Sequence, residues 1–93
     1  MSNSNQLIQR LLAWCVYAGP HPNESGFLLM FCFPNGLQAT VVKTDWSKGI
    51  EVGVSTPEWL IDVIDDLTPE QVPSKLEAIE VYGIDELRQK HDR

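Results

Sequence analysis

Four carboxylates between residues 58 and 66 are the side chains of this chain best placed to do chemistry. They are Glu58, Asp62, Asp65 and Asp66. Carboxylates grouped on one surface attract basic proteins, and acids one helical turn apart, about 5.4 Å, approach the spacing of DNA phosphates. No acid–x–acid–x–acid–Gly loop of the calcium-binding type occurs. The pattern has three interpretations: a solvated face that keeps the protein soluble, a docking surface for a basic partner, or an acidic DNA mimic.

The distribution of charge narrows these interpretations. The formal net charge is −6, and residues 1–46 contain as many basic as acidic side chains, so all of it lies in residues 47–93. A DNA mimic is expected to be acidic over its whole surface, which the neutral first half does not match. No Lys or Arg cluster precedes the last six residues. We therefore expect no direct binding to nucleic acid, which requires a basic patch.

Nucleophiles and metal ligands are present without a catalytic or coordinating pattern. Cys15 and Cys32 lie in apolar runs, and the two histidines, His21 and His91, are far apart. These spacings match no zinc motif, and no serine stands in a G-x-S-x-G sequence. We expect no enzyme activity, no cofactor and no metal. Both cysteines are expected to be buried as small apolar side chains.

The run from Gly26 to Thr44 predicts a β-hairpin with a turn at Pro34, Asn35 and Gly36. A three-residue loop sets large apolar groups opposite one another and gives Gly36 a position that requires positive φ. On one face this register pairs Phe33 with Leu37, Phe31 with Ala39 and Leu29 with Val41. On the other face it pairs Cys32 with Gln38, Met30 with Thr40 and Leu28 with Val42.

The second face of this hairpin is apolar on the first strand and half polar on the other. Leu28, Met30 and Cys32 therefore need a cover. A helix of the same chain is one candidate, and another protein or a second copy of this chain is the other.

Apolar periodicity predicts the remaining elements. A first helix is expected over residues 5–18, and a third strand over 50–54 with Ile50, Val52 and Val54 in the core. A helix over 57–67 is indicated by Thr56-Pro57-Glu58 and by an apolar stripe. The stripe comprises Trp59, Leu60, Val63, Ile64 and Leu67.

A second start signal, Thr68-Pro69-Glu70-Gln71, has the form of a capping box. It predicts a short turn interrupted by Pro73, then a helix over 74–82 that ends at Gly83. A further helical turn is expected over 85–90.

The three tryptophans divide into two groups. Trp14 and Trp59 lie on or beside apolar helical stripes, which predicts that they belong to the core. Trp46 lies in the turn 45–49 between polar residues. It either folds back on the edge of the core or stays exposed as a contact hot spot.

Together these patterns predict one α+β domain over residues 1–93, with residues 1–5 and 91–93 frayed. Its fold class is a three-stranded antiparallel meander with an N-terminal helix and C-terminal helices, in the order α-β-β-β-α-α. The helices are expected to cover the face that carries Phe27, Leu29, Phe31 and Phe33. Because neither a signal peptide nor a membrane span is recognisable, a cytoplasmic location is expected.

Two motifs resemble short, uncharacterised proteins encoded by tailed phages and prophages. One is the Phe33–Gly36 sequence FPNG followed by an alternating strand, and the other is Asp65–Val72, DDLTPEQV, followed by Leu76 and Ile79. The resemblance implies a phage accessory protein that acts by binding and blocking a host protein. It implies no functional residues.

The expected function is therefore a small acidic protein-binding module of the phage inhibitor type. Its partner is another protein, with a basic surface if the acidic side binds. The candidate contacts are Trp46 with Glu58, Asp62, Asp65 and Asp66, or Leu28, Met30 and Cys32. A homo-oligomer joined through the first hairpin strand and an acidic DNA mimic are the alternatives. No membrane association is expected.

Overall fold

The computed structural model describes residues 2–23 and 25–83, which form a five-stranded antiparallel sheet with two α-helices packed on one face. The strands lie side by side in chain order. The elements are α1 (Ser2–Leu12), β1 (Cys15–Pro20), β2 (Gly26–Cys32), β3 (Gln38–Thr44), β4 (Ile50–Ser55), β5 (Leu60–Leu67), a 3₁₀ turn (Pro69–Gln71) and α2 (Val72–Tyr82). The predicted three-stranded meander is wrong, because two further strands flank it. The turn predicted at 85–90 and the frayed end at 91–93 lie outside the described residues.

The N-terminal helix ends earlier than predicted. The predicted helix over 5–18 stops at Leu12, and residues 15–20 form edge strand β1 instead. The helix ends in two tight turns, in which the amides of Ala13 and Trp14 donate to carbonyls three residues earlier. The amide of Cys32 then donates to the carbonyl of Trp14 at 2.9 Å. By pairing with β2, residues 15–20 satisfy backbone N–H and C=O groups of that strand. If the helix had continued, those groups would have had no partner.

Residues 60–67 form edge strand β5 and not the predicted helix. The strand has an irregular register at two places along its pairing with β4. As a result its core-side residues are Ile61, Ile64 and Leu67, three positions apart instead of two. A spacing of three imitates the apolar stripe of a helix, which explains the wrong prediction.

The helix-start signal at Thr56 forms a turn in place of a helix. The Thr56 hydroxyl accepts hydrogen bonds from the amides of Glu58 and Trp59, both at 3.2 Å. The amide of Thr56 donates to the carbonyl of Trp59 at 3.0 Å, which closes the connection between β4 and β5. A capping hydroxyl therefore serves a hairpin here, because such side-chain bonds suit turns as well as helices.

The predicted register of the hairpin formed by β2 and β3 is confirmed. Leu29 pairs with Val41, Phe31 with Ala39 and Met30 with Thr40. Phe33 exchanges its backbone bonds with the turn: its amide donates to Leu37, and the amide of Gly36 donates to its carbonyl. Gly36 has a φ of 88°, as the three-residue loop requires.

Strand β4 agrees with prediction, and so does the C-terminal helix, except that Pro73 lies in its first turn and does not interrupt it. Ile50, Val52 and Val54 are buried. The capping box at Thr68 and Gln71 forms, with the amide of Thr68 donating to the Gln71 side chain at 2.8 Å. Helix α2 begins two residues before the predicted start at 74 and ends at Tyr82, with Gly83 in its C-cap.

One hydrophobic core lies between the sheet and the two helices. Its buried members are Leu11, Phe31, Phe33, Ala39, Val41, Ile50, Val52, Val54, Leu67, Val72, Leu76 and Ile79. The strand residues among them all point to one side of the sheet. Leu29 is half-buried against this core, but Phe27 is exposed, so the predicted core face ends at Leu29. Neither described helix has the length and hydropathy to span a bilayer.

Candidate protein-docking face

The side of the sheet opposite the core is covered by no element of the described residues. We call it the open face. Strand alternation assigns to it Tyr17, Gly19, Leu28, Met30, Cys32, Gln38, Thr40, Val42, Glu51, Gly53, Ser55, Leu60, Val63 and Asp65. The opposite side of the same strands carries the buried core. The sheet therefore has one side packed by helices and one side available for contact.

A continuous row of ladder partners crosses the middle of the open face. Each residue in it is the direct neighbour of the next on the adjacent strand. The row runs from Tyr17 through Met30, Thr40 and Gly53 to Val63. Tyr17, Met30 and Val63 are exposed, although all three have large apolar side chains. We call this line of residues the central row.

Two glycines let large side chains lie flat on the open face. A Cβ built on Gly53 would lie 3.6 Å from Cδ1 of Leu60, so Leu60 covers the gap in the central row. At the other end a Cβ on Gly19 would lie 3.1 Å from the Tyr17 hydroxyl oxygen, and that hydroxyl donates to the carbonyl of Pro20 at 2.9 Å. Leu60 is nevertheless 63% exposed. Because Gly53 and Gly19 have no Cβ, the side chains of Leu60 and Tyr17 lie across them and add to the apolar surface of the open face.

The three apolar candidates from sequence all lie on the open face. Leu28 is half-buried by its strand neighbours, and Met30 and Cys32 are exposed. Of the two candidate covers, a helix of this chain is absent among the described residues, because both described helices pack on the other side. The expectation that Cys32 is buried is wrong. Cys15 is half-buried, and both thiols are free.

The four acidic candidates lie along the edge of the sheet and not on one helix. Glu58 belongs to the turn before β5, and Asp62, Asp65 and Asp66 lie within β5. Asp66 adopts a φ of 59°, and its amide donates to the carbonyl of Lys48 at 2.8 Å. The helical spacing on which the DNA-mimic interpretation depended is therefore absent. Acids and irregular pairing at an edge strand also discourage pairing with another sheet.

Two tryptophans project into solvent at opposite ends of the sheet. Trp46, in the β3–β4 loop, is 86% exposed, so it does not fold back on the core. The Lys48–Asp66 hydrogen bond places its loop beside the end of β5 that carries Asp65 and Asp66. Trp59, in the β4–β5 turn, is 67% exposed, and its assignment to the core is wrong. The structure therefore groups Trp46 with only two of the four acids.

Sequence reasoning missed the residues that complete the open face. The apolar periodicity predicts Tyr17 in a helix, and Leu60 and Val63 on the apolar stripe of another. Glu51 is half-buried, between Val42 of β3 and the edge strand. The alternation of Ile50, Val52 and Val54 already places Glu51 on the face away from the core.

Polar contacts in the helix layer hold α1 to α2. Arg10 donates to Glu80 through Nε at 3.1 Å and Nη2 at 2.9 Å, and to Glu77 at 3.0 Å. Hydrogen bonds to Glu80 and then Glu77 raise the pKa of Arg10 above its ordinary value, so the guanidinium keeps its charge. Trp14 Nε1 donates to the other carboxylate oxygen of Glu80 at 2.9 Å. The predicted core position of Trp14 agrees, since it packs against the core. The contacts of Arg10 and Trp14 with Glu77 and Glu80 therefore stabilise the packing of α1 on α2.

An apolar groove opens between the helices and β2. It is lined by Ile8, Leu11, Leu12, Leu29, Phe31, Pro69, Val72, Pro73 and Leu76. Every one of these side chains is apolar. A small-molecule site normally adds a few polar groups that orient the ligand, and this lining offers none. The described residues also contain no group of three His, Cys, Asp or Glu side chains that could hold a metal ion.

Comparison with known proteins supplies no relative: no family model, no curated protein and no solved structure matches this chain. The functional assignment therefore rests on the open face and on the two sequence motifs.

Proposed function

We propose that this protein is a non-enzymatic binding module that docks on another protein through its open face. The observation that carries the proposal is the central row, where Tyr17, Met30 and Val63 stand exposed on the side of the sheet opposite the helices and the hydrophobic core. Contiguous apolar surface on a small protein is typical of an interaction site. Met30 is 39% exposed, so covering the rest of its side chain contributes roughly 1 kcal/mol, and several such contacts together support specific binding.

The biological role that fits this module is a phage-type accessory protein that binds and inhibits a host or defence protein. This part of the proposal depends on the resemblance of the FPNG hairpin and the DDLTPEQV segment to phage proteins. Asn35 of that hairpin binds the carbonyls of Ile79 and Glu80. The FPNG turn thus anchors α2 on the core side of the sheet, whereas Asp65 of the second motif lies at the border of the open face.

The test compares two substitutions of exposed apolar residues on opposite sides of the molecule. Met30→Asp places a charge in the central row, and Val81→Asp places one on the solvent side of α2, where Val81 is also exposed. Each variant and the wild type are immobilised and exposed to a lysate of the bacterial host. The proposal expects one protein to be retained by the wild type and by Val81→Asp.

Retention of that protein by Met30→Asp should fall at least about tenfold, as for a central hot-spot residue. Circular dichroism of both variants checks that each is folded. Equal retention by Met30→Asp and wild type would show that the open face is not the binding surface.

A further inference from the structure

We propose that the open face binds a cationic amphipathic helix of another protein. The apolar side of that helix lies over β2 and β3, and its Lys or Arg side chains reach Glu51 and Asp65. This inference rests on the proposed function and adds the chemistry of the partner. It is carried by the charge pattern of the open face and by the dimensions of its apolar part.

The open face carries acids and no base. Glu51 lies beside Val42 within it, and strand alternation puts Asp65 on its border at β5. The basic side chains of the described residues are elsewhere, in the helices, in the β3–β4 loop or on the core side of β3. They are Arg10, Lys43, Lys48 and Lys75. A partner must therefore supply the cations that neutralise Glu51 when it is covered.

The dimensions of the apolar part suit one helix. Strands β2 and β3 have seven residues each, which corresponds to about 23 Å, the length of roughly 15 helical residues. A helix about 10 Å wide spans two strand spacings of about 4.8 Å. Laid over Leu28, Met30 and Val42, it would be flanked by Tyr17 on one side and Leu60 on the other.

A second copy of this chain is a poorer occupant. Suppose that two copies stack open face to open face about a two-fold axis along the central row. The residues beside Glu51 in one copy then lie over those beside Gln38 and Ser55 in the other. Glu51 would then be desolvated without a cation, which is costly. The net charge of −6 on each copy opposes the contact as well.

The experiment titrates ¹⁵N-labelled protein with two synthetic 16-residue amphipathic helical peptides, one of Leu and Lys and one of Leu and Glu. The Leu/Lys peptide should shift the amide signals of Met30, Thr40 and Glu51 and leave those of Leu76 and Ile79 in place.

Glu51→Gln should weaken binding of the Leu/Lys peptide about five- to tenfold. Glu70→Gln makes the same change of net charge in the exposed turn before α2 and should stay within twofold of wild type. Glu51→Lys should gain binding to the Leu/Glu peptide.

Several results would overturn the inference. An equal loss in Glu51→Gln and Glu70→Gln would mean that only net charge matters, and shifts spread over the helices would place the peptide elsewhere. Dimerisation at micromolar concentration that Met30→Asp abolishes would make a second copy the occupant. If Met30→Asp loses the captured protein but Glu51→Gln retains it, the proposed function stands and the helix chemistry fails. If Met30→Asp still captures it, the proposed function itself fails.

Discussion

The indole nitrogen of Trp14 donates a hydrogen bond of 2.9 Å to Oε2 of Glu80, across a separation of 66 residues. The other carboxylate oxygen of Glu80 accepts from Arg10, so one side chain joins the end of α1 to α2. The Glu80 side chain is only 10% exposed. This contact holds the two helices together on the core side, and no element of the described residues covers the opposite side of the sheet.

Replacing Glu80 with alanine should lower the free energy of unfolding by about 1–3 kcal/mol, because the half-buried indole N–H loses its acceptor. Glu80→Gln is the matched control, since an amide oxygen can still accept from Trp14. Urea denaturation measures both variants. The role assigned to the indole bond would be contradicted if Glu80→Gln were as unstable as Glu80→Ala.

The hairpin turn is anchored to the end of α2 by one asparagine. Asn35 Nδ2 donates to the carbonyls of Ile79 at 2.8 Å and Glu80 at 3.1 Å, and its Oδ1 accepts from the amide of Leu37. We expect Asn35→Ala to destabilise the protein by about 1–2 kcal/mol, because both carbonyls lose the Asn35 donor, although the Ile79 carbonyl still accepts from the amide of Gly83. Asn23→Ala, in the exposed β1–β2 loop, should change stability by less than about 0.5 kcal/mol. Equal urea midpoints for the two variants would exclude this anchoring.

Two glycines with positive φ differ in the space around them. Gly36, at 88°, has no atom near the position of an added Cβ, whereas at Gly49, at 65°, that Cβ would lie 2.9 Å from Cα of Asp66. Gly36→Ala should cost about 1–2 kcal/mol for the left-handed backbone alone. Gly49→Ala should cost more, because the β3–β4 loop must also move away from β5. Thermal unfolding of the pair tests this order, and a Gly49→Ala variant as stable as Gly36→Ala would refute the close approach.

Thiol labelling tests the exposure of the open face directly. Cys32 is exposed on it, whereas Cys15 is half-buried with its thiol donating to the carbonyl of Tyr17 at 3.2 Å. Iodoacetamide should therefore alkylate Cys32 well before Cys15, as followed by mass spectrometry of peptides. The Cys32→Ser variant should show only the slow reaction. Faster modification of Cys15, or slow modification of both, would indicate that the open face is covered in solution.

The candidate site was predictable only in part. Leu28, Met30 and Cys32 emerge from the sequence because the strand that contains them is apolar on both faces. Tyr17 does not, since its partner Met30 is thirteen residues away and becomes a neighbour only when β1 pairs with β2. Glu51 follows from alternation in β4, but its nearness to Asp65 depends on the irregular pairing of β5.

By itself, the sequence determined those features that neighbouring residues control. These are the register of the hairpin around Asn35, the core side of β4 and the end of α2 at Gly83. Only the tertiary structure decided that residues 15–20 and 60–67 are edge strands. Their apolar spacing suits a helix equally well. They form strands because the backbone N–H and C=O groups of β2 and β4 need hydrogen-bond partners, which distant residues supply. The choice of strand over helix also gave the sheet an open face that no element of the described residues covers.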